Sequence, residues 1–357
     1  MDTNNRPVTG VKELEKHLGE LIADPTLEPN AKLFDDVELQ LTESNIHAFI
    51  TRLLPNIIKI LKHIQHDPAK LCSLAIKLLG PLTFVQAVSL ASEDSIIQAL
   101  RSPAPSANIL AMTLLGKAAN SAADAAVLAA MKNVITNFLT QWLSAPQVEV
   151  GEKGSKVLGD LLEADCETRP PDTMAVNGKE IILRRRPGQG FVWRRLFHDR
   201  DIYSLLLSLC SAGAHQNADD GLSEHQLSLA QGRLLRILPR LAALNFAAVT
   251  RSDYSELNQR YGHFNGNGGI LQFAALHMID REDPLMHLSL IDFFETLLSI
   301  QRITPFSTYK MDTLKVITRE ATSNDLRLQA AITTLPERTA PKEADELKRF
   351  IMEVLSS

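Results

Sequence analysis

The chain has 357 residues, of which 45% are hydrophobic and 22% charged, and its formal net charge is −5 at pH 7. This is the composition of a folded, soluble protein, and it argues against an intrinsically disordered chain. The negative net charge argues against a surface of positive potential that would attract nucleic acid. The three cysteines (Cys72, Cys166 and Cys210) exclude a disulfide scaffold and favour a reducing compartment. No apolar run approaches the roughly 18 residues of a membrane span, and the segment MDTNNRPVTG lacks the apolar region of a secretory signal.

Apolar side chains spaced three and four residues apart predict a mainly helical chain. The pattern is clearest at Leu54, Ile57, Ile58, Leu61 and Ile64; at Val127, Met131, Val134, Phe138 and Trp142; and at Leu285, Leu288, Ile291, Phe294 and Leu298. The second set predicts one continuous helix over 127–143. Beside the third set lies a second apolar stripe, formed by Leu290, Phe293 and Leu297. The helix that carries both stripes is therefore expected to be buried on two sides.

Several helix starts are marked by a capping residue before proline or by a capping box. The dipeptides Asp67-Pro68, Ser102-Pro103 and Asp283-Pro284 place a side-chain oxygen before a proline at the first helical position. Ser223 and Gln226 have the spacing of a capping box. The whole chain is expected to hold about 13 to 15 helices, which suits short stacked hairpins.

A short sequence segment that recurs along the chain predicts helical repeats. The segment Ser73–Gly80 recurs at Ile109–Gly116 and again at Gly154–Gly159, so that the aligned glycines lie 36 and 43 residues apart. A pair of antiparallel helices with its turns occupies about 40 residues in HEAT and armadillo proteins. We therefore predict an all-α fold, a curved α-solenoid of HEAT/armadillo-like repeats, with an irregular helical domain as the alternative.

One non-helical insertion interrupts the predicted array. The dipeptide Asn177-Gly178 lies between two short apolar runs and favours a two-residue β-hairpin turn. The predicted organisation is a terminal tail or cap at 1–40, helical repeats at 41–165, a loop or β-hairpin at 166–190, helical repeats at 191–332, and a tail with a capping helix at 333–357.

Motifs of catalysis are missing from the sequence. It contains no Gly-x-Ser-x-Gly nucleophile elbow and no Walker sequence, and Asn265-Gly-Asn-Gly-Gly269 lacks the lysine of a phosphate loop. His63 and His66 supply half a metal site that no second pair completes. We therefore expect no enzyme activity, no catalytic residue, no metal and no cofactor.

The most distinctive segment is basic and aromatic. Between Lys179 and Asp201 there are seven Lys or Arg and three Asp or Glu, a local charge of +4 on an acidic chain. Arginine and tryptophan together are typical of interface hot spots. The candidate partner-binding residues are Arg185, Arg186, Trp193, His198 and Asp199. The alternative is that Arg194, Arg195, Asp199 and Arg200 join neighbouring helices inside the protein, and a nucleic-acid contact is a third, weaker interpretation.

The same segment resembles a known family. Three runs carry the resemblance: Trp193-Arg-Arg-Leu-Phe-His-Asp-Arg-Asp-Ile-Tyr203, Leu205-Leu-Leu-Ser-Leu-Cys-Ser211 and Gly154-Ser-Lys-Val-Leu-Gly-Asp-Leu-Leu162. They are similar to the central region of the fungal HEAT-repeat assembly chaperones of the proteasome 19S regulatory particle. That family is also catalogued as DNA mismatch repair proteins. The resemblance covers roughly residues 150–215.

The resemblance implies a non-catalytic chaperone whose solenoid surface holds the C-terminal domain of one base ATPase subunit. It implies no small-molecule substrate and a location in the cytoplasm with the nucleus as a second compartment. A membrane is not expected because there is no long apolar run, and the negative net charge argues against nucleic acid. The alternatives are a generic armadillo/HEAT scaffold and an accessory factor of DNA mismatch repair.

Overall fold

The structure, a computed structural model, describes residues 8–167, 172–176, 179–183, 187–215, 221–262 and 266–356. Twenty α-helices and three short 3₁₀ helices make up most of these residues, together with a single two-stranded sheet. The predicted all-α fold class is confirmed. The chain divides into two compact units, residues 1–141 with 147–157 and residues 142–146 with 158–357.

Ten helices precede the sheet. They are α1 (Val11–Ala23), α2 (Ala31–Gln40), α3 (His47–Leu61), α4 (Ala69–Leu79), α5 (Phe84–Leu90), α6 (Glu93–Leu100), α7 (Pro105–Gly116), α8 (Ala122–Ala130), α9 (Lys132–Ser144) and α10 (Val148–Ala164). Residues 11–40, predicted as a terminal cap or tail, thus form two helices. Their apolar side chains Leu14, Leu18 and Phe34 are fully buried, and this burial holds both helices in the first unit.

A short antiparallel hairpin follows, formed by β1 (Asp172–Val176) and β2 (Lys179–Leu183). In its register Met174 pairs with Ile181 and Val176 pairs with Lys179. This is the hairpin predicted from Asn177-Gly178, although those two residues lie outside the described ones.

Ten helices follow the hairpin. They are α11 (Phe191–Phe197), α12 (Arg200–Cys210), α13 (Glu224–Leu244), α14 (Phe246–Thr250), α15 (Ser255–Gly262), α16 (Ile270–Leu276), α17 (Pro284–Ile303), α18 (Thr308–Thr322), α19 (Leu326–Thr334) and α20 (Pro341–Leu355). The longest two, α13 and α17, pack against each other in the second unit.

Side-chain hydrogen bonds in the first unit recur at the spacing of one helical repeat. Lys70 Nζ lies 2.7 Å from Asp35 Oδ1, 35 residues earlier, and Gln98 Nε2 donates to the carbonyl of Lys62, 36 residues earlier. Lys117 Nζ donates to the carbonyl of Leu82, 35 residues earlier. Helix pairs of HEAT and armadillo proteins have about this length, so the spacing agrees with stacked helical repeats.

The second unit also contains side-chain hydrogen bonds between separate segments of the chain, at a slightly longer spacing along the sequence. Arg281 donates to the carbonyl of Ala321, 40 residues later, at 2.7 Å, and Arg302 binds Glu343, 41 residues later, at 2.6 Å. Lys315 donates to Ser356, again 41 residues later. Other contacts in the same unit join residues 198–204 to residues 253–261, at 55 to 57 residues, so the spacing of 40 and 41 residues is confined to the later helices.

Two of the four predicted helix starts carry the expected caps. Asp283 accepts hydrogen bonds from the backbone of Leu285 and Met286, and Ser223 forms a capping box with Gln226. At Asp67-Pro68 the helix α4 begins one residue later than predicted, at Ala69, and Pro68 rather than Asp67 is its N-cap. The pair Ser102-Pro103 does not begin a helix, since α7 begins two residues later at Pro105. Ser102 Oγ instead accepts from the backbone N–H of Ala104 and shapes the turn before the helix.

Two expectations from periodicity need correction. The helix predicted over 127–143 is broken at Met131, whose backbone leaves the helical region with φ −85° and ψ 68°, so that α8 ends and α9 begins there. On α17 the second stripe is buried as expected, but Leu285 and Leu288 of the first stripe are 67% and 62% exposed. The N-terminal turns of α17 are therefore buried on one side only, whereas Phe294 and Leu298 further along are fully buried.

A buried hydrogen bond joins α17 to the start of α19. His287 Nε2 lies 2.7 Å from Asp325 Oδ2, and both side chains are buried. Asp325 also caps α19 by accepting the backbone N–H of Leu328 at 2.9 Å. Burial raises the pKa of the Asp325 carboxyl, but the Leu328 N–H and the His287 ring more than offset this, and the pKa lies below its ordinary value.

This lowered pKa makes part of the stability depend on pH. Because the folded protein binds the Asp325 proton less tightly than the unfolded chain, the stabilisation is present above about pH 3.9 and is lost as the pH falls through the lower folded pKa. We expect Asp325→Asn to reduce the free energy of unfolding at pH 6 and to cost less at pH 2.5. Urea unfolding at both values measures the difference, with exposed Asp292→Asn on α17 as the control. A cost that is the same at both pH values would contradict the assignment.

The burial of α17 can be tested with a matched pair on that helix. Phe294→Ala should lower the free energy of unfolding by about 3 to 5 kcal/mol, because it removes a fully buried ring. Leu288→Ala should change it by less than about 0.5 kcal/mol, since this side chain is mostly exposed. Equal costs in urea unfolding would show that the two sides of α17 are not distinguished as described.

Candidate functional site

The chain segments before and after the hairpin are hydrogen-bonded to each other. The backbone N–H of Gly188 donates to the carbonyl of Cys166 at 2.9 Å, and that of Gly190 donates to the carbonyl of Asp165 at 3.1 Å. A methyl group on Gly188 would overlap the backbone of Asp165, so only glycine fits there. The glycine-rich turn of the distinctive segment therefore closes the base of the insertion.

Asp165 ties the same base to the next helix. Its carboxylate is fully buried and accepts the backbone N–H of Gln189 at 3.1 Å and that of Val192 at 2.6 Å. Val192 lies in the first turn of α11, where N–H groups lack intrahelical partners and the helix dipole favours a negative charge. The carboxylate next to Cys166 thus acts as a helix cap.

Trp193 lies in the core rather than on the surface. Its side chain is 4% exposed, its Nε1–H donates to the carbonyl of Leu162 at 2.9 Å, and its ring stacks on Phe197 with centroids 5.6 Å apart. The carbonyl of Leu162 belongs to the last turn of α10, so the indole joins α10 to α11. This position favours the alternative that the sequence left open, an internal role.

The arginines on α11 also make contacts inside the protein. Arg194 donates to the carbonyl of Gln189 at 2.6 Å and lies 3.3 Å from Glu167 Oε1. Arg195 lies 2.6 Å from Asp199 Oδ2, in a partly buried ion pair. These contacts agree with the interpretation that both arginines join neighbouring parts of the chain.

Asp199 begins α12. Its Oδ1 accepts the backbone N–H groups of Asp201 and Ile202, which is the geometry of an N-cap, while its other oxygen faces Arg195. A capping aspartate of this kind typically contributes about 1 kcal/mol to stability. Its role in this structure is to fix the turn between α11 and α12.

His198 is the predicted site residue that the structure places at the surface. Its ring is about half exposed, and Nδ1 lies 2.9 Å from Asp253 Oδ2. Tyr254 donates its hydroxyl to the carbonyl of His198 at 2.8 Å, and Arg200 lies 3.2 Å from Glu256. Together these contacts form a polar, exposed strip between the α11–α12 turn and the start of α15.

The remaining two predicted residues, Arg185 and Arg186, lie outside the described residues. Of the five candidates, the structure brings Asp199 and His198 together at one turn and buries Trp193 on the helix before it. In the described part of this region, His198 and the charged side chains of Arg200, Asp253 and Glu256 are exposed and could contact a partner.

The cysteines are all free and buried. Burial raises the pKa of the Cys72 thiol to about 11 and raises that of Cys210 still further, which keeps both thiols protonated at neutral pH. Within the described ranges, no three His, Cys, Asp or Glu side chains gather as metal ligands would. None of the helices described combines the length and apolar character that a bilayer crossing requires.

Sequence reasoning missed a cleft in the first unit. It has a volume of about 680 Å³ and is bordered by side chains of α3, α4, α5, α6 and α7. Alanines recur on its walls at Ala75, Ala87, Ala99, Ala107 and Ala111, a pattern visible in the sequence as small residues among the apolar ones. Periodicity alone does not distinguish such a wall from an ordinary packed core.

Comparison with known proteins gives no assignment. The sequence matches no protein-family model, and no curated protein matches it.

The base of the hairpin can be tested with two glycine substitutions. Gly188→Ala should lower the free energy of unfolding by about 1 to 3 kcal/mol, because the added methyl group meets backbone that cannot move aside. Gly232→Ala is the control: it lies within α13 with open space around it, and alanine there should be neutral or stabilising. Equal effects in urea unfolding would show that the segments are not in contact at Gly188.

Proposed function

We propose that the protein is an assembly chaperone of the proteasome 19S regulatory particle, which binds the C-terminal domain of one base ATPase subunit through the surface of its helical repeats. The observation that carries this proposal is the recurrence of interhelical hydrogen bonds at 35 to 41 residues in both units. Stacked repeats present extended surfaces that suit a large protein partner. The resemblance of residues 150–215 to that chaperone family selects this partner among others.

The residues that carry the resemblance act mainly in packing. Trp193, Leu196 and Tyr203 are buried, and burial raises the pKa of Tyr203 to about 12. Asp199 caps a helix. The resemblance therefore supports a shared fold around the hairpin, and the partner-binding surface consists of exposed residues that this pattern does not specify.

Two other functions remain as alternatives. A generic helical-repeat scaffold would use the same stacked surface for an unrelated protein, and it differs only in the partner. A mismatch-repair accessory factor would need contacts to DNA phosphates, which an acidic chain of net charge −5 does not favour. In the proposed role the protein acts in the cytoplasm, with the nucleus as a second compartment.

Direct binding tests the proposal. The full chain is immobilised, and the isolated C-terminal domain of each base ATPase subunit is titrated over it. We expect one of these domains to bind with a dissociation constant of about 1 μM or below, and the others at least about tenfold more weakly. If none binds below about 100 μM, the chaperone proposal is wrong.

The basic segment gives a second expectation for the same assay. If Arg185 and Arg186 contact the ATPase domain, changing both to Glu should weaken binding about tenfold or more and leave the melting temperature unchanged, since it reverses a local attraction.

The matched control is Arg195→Glu, which breaks the partly buried pair with Asp199 and should lower the melting temperature instead. Thermal unfolding is measured beside each titration. A stability loss for the Arg185/Arg186 double variant with unchanged affinity would make that segment a structural element.

A further inference from the structure

The cleft in the first unit is large enough for a ligand and mainly apolar. Its floor and walls include Leu54, Ile58, Leu61, Leu79, Ile97 and Leu110. The volume of about 680 Å³ lies within the range of about 300 to 1,000 Å³ found for binding sites. Of these side chains, Ile58, Ile97 and Leu110 are only partly buried, so the cleft opens to solvent along α3, α6 and α7.

Small side chains form part of the lining of the cleft. Ala99 is on α6, and Ala107 and Ala111 lie one turn apart on α7. Ala107 and Ala111 are almost completely buried beneath the cleft, whereas Ala99 is partly exposed.

The charges of the cleft are separated along α6. Asp94 lies in the first turn of α6 and Arg101 directly follows its last turn. Gln98 Nε2 donates to the carbonyl of Lys62 at 3.1 Å, which places Lys62 beside the second half of α6, near Arg101. The cleft thus has a basic end formed by Lys62 and Arg101 and an acidic end at Asp94. The other polar lining residues are Gln65, His66, Ser95, Gln98 and Ser102.

The two charged ends of the cleft are about two helical turns apart. At 1.5 Å per residue, the seven steps from Asp94 to Arg101 span about 10 Å. Apolar side chains at i, i+3 or i+4, and i+7 of an incoming helix cover the same distance. The C-terminal end of a helix carries a partial negative charge, which suits the basic end of the cleft.

We propose that this cleft binds an amphipathic α-helix of a partner protein, with its apolar side inward and with acidic side chains at its C-terminal end against Lys62 and Arg101. The inference rests on the proposed function only in requiring that the protein binds another protein. It does not depend on the partner being a proteasomal ATPase.

A selection experiment with helical peptides in place of the partner tests the proposal. A phage-displayed library of 16-residue peptides, fixed in helical apolar spacing and varied in charge at both ends, is selected on the full chain. Binders retained by an Ile97→Asp variant are removed. We expect the enriched peptides to carry Asp or Glu at their C-terminal end. Val85→Asp, an exposed position on α5 outside the cleft, should bind them as the wild type does.

A charge exchange then tests the direction of binding. Lys62→Glu with Arg101→Glu should weaken binding of an enriched peptide about tenfold or more. It should favour a twin peptide whose C-terminal Asp or Glu are replaced by Lys. Lys59→Glu, an exposed charge on α3 outside the cleft, is the control. Circular dichroism confirms that each variant is folded, and an unfolded double variant is replaced by Lys62→Glu alone.

Three results would overturn the proposal: no enrichment that depends on Ile97, enrichment of basic C-terminal ends, or binding of a fluorescent long-chain fatty acid in the cleft with no peptide enriched. The last result would assign the cleft to a small apolar molecule. If helical peptides are enriched but no ATPase domain binds, the chaperone proposal is wrong and the cleft proposal stands. If an ATPase domain binds but no peptide is enriched, the cleft proposal is wrong and the chaperone proposal stands.

Discussion

An α-helix leaves its last carbonyl groups without partners inside the helix, and a stack of short helices contains many such ends. This protein satisfies them with long polar side chains from neighbouring helices. Asn108 donates to the carbonyls of Ala99 and Leu100 at the end of α6. Gln231 donates to the carbonyl of Cys210, the last residue of α12, and to that of Met278, which follows α16. These donors are almost completely buried, because the helix ends that they satisfy are buried. Cationic side chains have the further advantage of lying at the negative end of the helix dipole.

The same constraint explains the segment that the sequence made most conspicuous. Trp193 satisfies the end of α10, Asp165 satisfies the start of α11, and Asp199 satisfies the start of α12. A chain that leaves the helical stack to form a hairpin exposes three helix termini within a short distance. Aromatic and charged residues cluster there because each terminus needs a specific donor or acceptor. Composition typical of an interface is thus produced here largely by the joining of helices.

Helical periodicity predicted the fold class well, since apolar stripes report burial directly. It did not predict the number of helices, because breaks such as the one at Met131 depend on a single backbone conformation within a continuous apolar stripe. The exposure of Leu285 and Leu288 was missed for a related reason: a stripe shows which residues share a side of a helix, and neighbours from distant repeats decide whether that side is covered. The cleft was missed because alanine fits equally well in a packed core and at an open wall.

The buried lysine of α18 tests the central role of helix-end donors most directly. Lys310 Nζ contacts the carbonyls of Gln301, Thr304 and Pro305 at 2.8 to 3.2 Å at the end of α17, and burial lowers its pKa. Lys315, five residues later on the same helix, makes an exposed hydrogen bond to Ser356. The free energy of unfolding is measured for Lys310→Met and Lys315→Met. A loss of about 2 kcal/mol or more for the first, with less than about 0.5 for the second, is the expected result. Equal losses, or a neutral Lys310→Met, would contradict the account.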